Sequence, residues 1–123
     1  MIRVDANYII RYFVNDNEKM AEIAEETLMN EEIFIANEVL AEVIYVLGGV
    51  YEIPKEDIVT NLITLLNQKN VTSLNTVEAL TIFLDKNIDF VDALLCAYSS
   101  KDEIRTFDKK LLKCIKKSSA KNL

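Results

Sequence analysis

Ile2-Arg3-Val4-Asp5-Ala6-Asn7-Tyr8-Ile9-Ile10-Arg11-Tyr12-Phe13 opens the chain with a short apolar run, a carboxylate, and then apolar residues that return at helical spacing. A short apolar run giving way to a 3.6-residue period reads as strand then helix, with Asp5 at the junction. The alternation continues along the chain. Glu18 to Met29 places Met20, Ile23, Ala24, Thr27 and Leu28 on one face and Glu22, Glu25 and Glu26 on the other, the pattern of an amphipathic helix. Ile33 to Ala36 is β-rich and too short for a helix, and from Asn37 a helical pattern runs to the breaker Gly48-Gly49. Pro54, with Glu56 and Asp57 behind it, opens a helix that continues to about Gln68. Val71 to Leu74 is another strand candidate, and Asn75-Thr76-Val77-Glu78 has the form of a capping box leading into a helix through about Leu84. Asp89-Phe90-Val91-Asp92 caps a further helix ending near Ser99, and Ile104 to Phe107 reads as a fourth strand before a last helix from Asp108 or Lys109.

Four short strands separated by helices predict an α/β fold with a short, mainly parallel central sheet flanked by helices, because parallel strands need crossover connections. In open sheets of this kind ligands bind outside the carboxyl ends of the strands. Asp5 and Asp108, each read as the first polar residue after a strand, are expected on that rim. Residues 1–123 read as one domain, with no repeat, low-complexity segment or linker and with a tail that frays from about Lys116.

Composition narrows the chemistry. The 123 residues contain no His and only two Cys, so the usual triad base, the usual ribonuclease acid/base pair and a zinc site are all disfavoured. Cys96 and Cys114 are too few and too far apart for a disulfide framework and read as free packing residues. No apolar stretch approaches the roughly 20 residues that span a bilayer, and the start lacks the regions of a signal peptide. The cytoplasm is the expected location. Hydrolysis by such a chain has to be run by carboxylates and metal.

Four acids stand in apolar settings: Asp5 after Val4, Glu42 within Val39-Leu40-Ala41-Glu42-Val43-Ile44, Asp92 within Phe90-Val91-Asp92-Ala93-Leu94-Leu95, and Asp108 after Phe107. Charged groups are rarely left in apolar surroundings without a partner, and one divalent cation would account for all of them. Each also has a plain structural reading. Asp5 and Asp108 have the positions of helix N-caps, and Asp89 with Asp92 has the spacing of an N-cap and an N3 acid. Glu42 lies four residues after Glu38, so both can share a solvent face.

The order of these segments resembles the PIN domain family, and within it most closely the VapC-type ribonuclease toxins of bacteria and archaea. Val4 to Phe13 is similar to the family's strand-to-helix start, Val39 to Leu47 to the helix that carries its glutamate, Asp89-Phe90-Val91-Asp92-Ala93-Leu94-Leu95 to the segment with its third acid, and Thr106-Phe107-Asp108-Lys109-Lys110-Leu111 to its fourth. The resemblance covers residues 2 to about 113. It implies a three-layer α/β/α fold and a metal-dependent endoribonuclease, the toxin of a type II toxin-antitoxin pair, acting on single-stranded or loop RNA. Asp5, Glu42, Asp92 and Asp108 would be the catalytic cluster around Mg²⁺ or Mn²⁺, with Asp5 and Asp92 the candidates for direct contact. Asn7 and Thr106 would support them. It also implies a cognate antitoxin and a homodimer, for which the helices between Glu18 and Val50 offer apolar surface. A non-catalytic PIN module that binds RNA or protein, and a housekeeping RNA-processing nuclease, are the alternatives.

Two other acid-dependent classes fit less well. A phosphatase of the haloacid dehalogenase type needs a second Asp two residues after the first, and this chain has Asn7 there. A phosphoacceptor receiver needs an acceptor Asp after a later strand, and Val71 to Leu74 is followed by Asn75. The net charge of −6 is unevenly spread. Residues 1–100 carry 6 basic and 17 acidic side chains, a net of −11, while residues 101–123 carry 8 basic and 3 acidic, a net of +5. Lys109, Lys110 and Lys113 in that basic end are candidate RNA phosphate contacts, or else serve the negative end of a helix dipole.

Overall fold

The computed structural model describes residues 1–121, with side chains through Lys116. The chain forms two compact units, Met1–Leu74 and Asn75–Leu123. The first holds β1 (Ile2–Arg3), α1 (Ala6–Val14), α2 (Glu18–Asn30), β2 (Ile33–Phe34), α3 (Asn37–Gly49), α4 (Lys55–Leu66) and β3 (Val71–Thr72). The second holds α5 (Thr76–Asp85), α6 (Phe90–Tyr98) and α7 (Lys109–Lys121).

The first unit has the parallel sheet that crossover helices demand. Its strands lie in the order β1-β2-β3, with Ile33 opposite Ile2 and Val71, and Phe34 opposite Arg3 and Thr72. The ladder extends slightly past the two-residue strands, since Ile2 N donates to Glu32 O at 2.8 Å and Ile35 N to Thr72 O at 3.0 Å. Ile9, Leu28, Ile33, Ile35, Leu40, Val59, Leu62 and Leu65 are all buried to within 1% and form the core of this unit. Burying a side chain of this kind stabilises by roughly 1.5–3 kcal/mol before entropy is counted, which explains why such short strands persist. Asn70 closes the C-terminal end of α2, its Nδ2 donating at 2.8 Å to both Leu28 O and Glu31 O. At the carboxyl end of the sheet, Asn37 Nδ2 donates to Leu74 O at 2.8 Å and ties the start of α3 to the segment after β3.

In the second unit α6 packs on both α5 and α7. Phe83 and Phe90 meet edge to face with ring centroids 5.9 Å apart. Three sequence expectations are corrected here. The expected fourth strand, Ile104 to Phe107, is not a strand. Phe107 is fully exposed, Arg105 pairs in solvent with Glu103 at 2.8 Å, and no ladder partner faces the segment among the described residues. The expected capping box at Asn75 does not form. Asn75 is left-handed, with φ 56°, and its side chain makes no bond to the helix backbone, donating instead to Glu78 Oε2 at 3.5 Å. Finally, Cys96 and Cys114 are not free thiols but a disulfide between α6 and α7, with Cα atoms 6.2 Å apart. Both sulfurs remain buried, packed with Leu111, Ile82, Ile88, Leu95 and Ile115, so the packing role was legible and the bond was not. Of the frayed tail expected from about Lys116, the residues up to Lys121 fall within α7, and residues 122 and 123 lie outside the described residues. No helix among the described residues is long and apolar enough to cross a membrane.

Candidate active site

Asp5 follows β1 at its carboxyl end and caps α1, its Oδ1 accepting from Tyr8 N at 3.0 Å. Its carboxylate is exposed, as is Asn7 in the first turn of the same helix. Glu42 lies on the exposed face of α3 together with Glu38, not in the apolar surroundings its sequence neighbours suggested. A helix turns 100° per residue, so Leu40, Val43 and Ile44 are buried while Glu42 between them faces solvent.

The second unit contributes the other two acids and a third beside them. Asp89 caps α6, its Oδ1 accepting from Asp92 N at 2.9 Å. Asp108 caps α7, its Oδ1 accepting from Leu111 N at 2.9 Å. Thr106 Oγ1 accepts from Asp108 N at 3.1 Å, so it holds the backbone of Asp108 rather than its carboxylate. Asp108 therefore stands at a helix start instead of after a strand. Both caps place negative charge at helix N-termini, where the backbone N–H groups favour it.

Asp92 is the one candidate acid that is partly buried. Burial pushes its carboxyl above the ordinary carboxylate range, and the charges of Asp89 and then Asp108 push it further in the same direction. Each effect disfavours the ionised form. The proton is thus held more tightly in the folded chain than in the unfolded one, and stability declines as pH rises through the shifted range. A cation beside Asp92 would reverse that sign. Asp89, like Asp5 and Asp108, has one carboxylate oxygen engaged in a helix cap.

Among the described residues no three His, Cys, Asp or Glu side chains lie close enough together to hold a metal ion. The donor chemistry nevertheless suits a hard cation. All candidate ligands are carboxylate oxygens, and Mg²⁺ is usually held by one or two carboxylates with water and phosphate completing its shell.

Of the basic candidates, Lys109, Lys110 and Lys113 are all exposed. Lys110 and Lys113 also line a cavity of about 230 Å³ with Lys86, Asn87, Ile88 and Cys114. Lys86 and Asn87 were not anticipated, because the turn after α5 lies far in sequence from the basic end. Lys117 and Lys121 lie outside the described side chains.

The PIN domain family model matches residues 2–116, through both compact units. The chain belongs to the PIN domain family. No curated protein and no solved structure matches it. PIN domains are generally nucleases and typically use divalent metals, and the mixed α/β architecture with its short parallel sheet is the fold this family shares.

Proposed function

We propose that this PIN domain is a metal-dependent endoribonuclease of the VapC type, the toxin of a type II toxin-antitoxin pair. The observation that carries the reading is Asp92, a half-buried carboxyl pushed up by burial and by Asp89 and Asp108, within a matched PIN sequence. A carboxyl so placed favours its neutral form, and a cation beside it would restore the charged one. In the proposal Asp92 and Asp108 hold Mg²⁺ or Mn²⁺, and Asp5 and Glu42 are the further acids on which cleavage depends. When bound, such an ion lowers the pKa of water, orients it toward phosphorus and stabilises the leaving oxygen. The residues themselves supply oxygen donors at fixed positions. Asp108 Oδ1 is held by Leu111 N, while Thr106 and Asp89 hold the backbone N–H groups of Asp108 and Asp92 and so place the helix starts that carry the two acids. Asn7, exposed in the first turn of α1, is a candidate to hold a metal-bound water. With no His in the chain, proton transfer falls to carboxylates and water.

Purified protein with Mn²⁺ or Mg²⁺ is expected to cut internal bonds of single-stranded or loop RNA, and excess chelator is expected to stop the cutting. Binding across a broad RNA panel without any cleavage would instead establish the non-catalytic module. Cutting that persists in chelator would overturn the metal-dependent mechanism.

The basic end has a separate test. If Lys109, Lys110 and Lys113 contact phosphate, replacing them with Gln lowers RNA affinity and flattens its salt dependence by about one unit of log-log slope per lost contact. Cleavage positions stay the same, because phosphate contacts place the protein without reading bases. An unchanged slope removes these lysines from the RNA-binding surface.

For partners, the proposal includes an antitoxin and a second copy of the chain, in the cytoplasm. Support comes from α2 and α3, where Met20, Ile23, Met29 and Tyr45 are 40–77% exposed. Gathered into one patch, such groups would offer a contact surface. Light scattering at micromolar concentration is expected to give the mass of two chains, and a monodisperse monomer would remove the homodimer from the proposal.

A further inference from the structure

The disulfide between α6 and α7 has two unequal ends. Cys96 is 1% exposed and Cys114 is 6% exposed. Cys114 alone of the two lines the cavity of about 230 Å³, whose other walls are Lys86, Asn87, Ile88, Lys110 and Lys113. Asp85 pairs with Lys86 at 3.6 Å, and among the described residues that line the cavity every charged side chain is a lysine. A buried sulfur beside an open, positively charged cavity is selective for what can reach it. The species that attacks a disulfide is a thiolate, and a cleft of one sign raises the local concentration and arrival rate of the opposite sign by about 10- to 1,000-fold.

We propose that this cavity is a binding and reaction site for a low-molecular-weight thiol bearing a carboxylate or sulfonate, and that such a thiol opens the Cys96–Cys114 bond at Cys114. The incoming thiolate forms a bond to Cys114 Sγ as the Cys96–Cys114 bond breaks. Cys96 leaves as a thiolate and takes a proton from water. A second thiol molecule attacks the added sulfur, releasing the thiol's own symmetrical disulfide and leaving Cys114 as a thiol. Two electrons pass to the protein, and two thiol molecules become one disulfide. In a reducing compartment, where disulfides are short-lived unless they have a redox role, the bond becomes a redox-addressable clamp. Asp92 lies one helical turn before Cys96 on α6, and Asp108 caps the helix that carries Cys114. Any effect on cleavage depends on the nuclease reading, whereas the exchange chemistry stands without it.

The test uses the full chain in its disulfide form, exposed at low salt to 2-mercaptoethanesulfonate or to neutral 2-mercaptoethanol at matched thiolate concentration. After acid quenching, the adduct is located by peptide mass spectrometry. The expected result is a mixed disulfide on Cys114 that forms about tenfold faster with the sulfonate. That advantage should shrink as salt is raised and in a Lys86→Gln, Lys110→Gln, Lys113→Gln variant. Equal rates for the two thiols, an advantage indifferent to salt, an adduct mainly on Cys96, or two free thiols after treatment with an oxidant would each overturn the proposal. The salt series needs no variant, so the outcome stays decisive if the triple substitution does not fold.

Discussion

Asp92→Asn is expected to reduce RNA cleavage by at least about a hundredfold while leaving the circular dichroism spectrum unchanged. Metal-ion stabilisation of a phosphoryl transition state is worth several kcal/mol, and each 1.36 kcal/mol is a tenfold change in rate. Asn matches Asp in shape, so the backbone bond from residue 92 to Asp89 Oδ1 survives and α6 keeps its cap. What disappears is the charge that a cation would bind. The same substitution carries a pH signature with a definite sign. Burial, Asp89 and Asp108 raise the Asp92 carboxyl, so ionising it in the folded chain opposes folding. Asp92→Asn should therefore raise the metal-free melting temperature at neutral pH and lose that advantage as pH falls and Asp92 takes up its proton. Conversely, Mn²⁺ should raise the melting temperature of the wild type by mass action, and of the variant less. Wild-type cleavage retained within about twofold in Asp92→Asn would remove Asp92 from the site. A melting temperature lowered at neutral pH would show that its carboxylate is already well compensated.

Removal of the disulfide is the second large effect. Cys96 and Cys114 are 18 residues apart in the chain, and closing a loop of about that length restricts the unfolded ensemble by about 3 kcal/mol. For a domain of this size that corresponds to a fall of about 10 °C in melting temperature. Cys96→Ala with Cys114→Ala should melt that much lower than the oxidised wild type. It should also melt close to the wild type treated with reductant, since both then lack the bond. Oxidised and reduced wild type melting together would mean that the bond contributes little to stability. The small core on which α7 rests, Leu111 and Cys114 against Ile82, Ile88, Leu95 and Ile115, is the physical reason to expect a cross-link to matter there.

The helices were readable because what forms them is local. Periodic apolar residues, the acids at Asp5, Asp89 and Asp108 and the breaks near Gly49 and Pro54 lie within about one turn of the backbone groups they serve, and α1 to α6 begin and end within a residue or two of the expected bounds, as does the start of α7. Strands were less readable because a strand needs a partner that its own sequence does not name. Val71-Thr72 found one, whereas Ile104 to Phe107, with a similar composition, did not. For Glu42 the sequence left two readings open, an apolar setting or a solvent face shared with Glu38, and the helix turns it to solvent.

Sequence alone determined the PIN family, the parallel α/β architecture, and the absence of histidine from the chemistry of residues 1–123. All of these rest on residue types and on spacings of a few positions. Only the tertiary structure decided that Asp92 is the half-buried acid raised by Asp89 and Asp108, that Cys96 and Cys114 are joined, and that Lys86 shares a cavity with Lys110 and Lys113. Burial, cross-linking and charge clustering depend on distances between residues separated by up to 27 positions, and the packing of α5, α6 and α7 sets those distances.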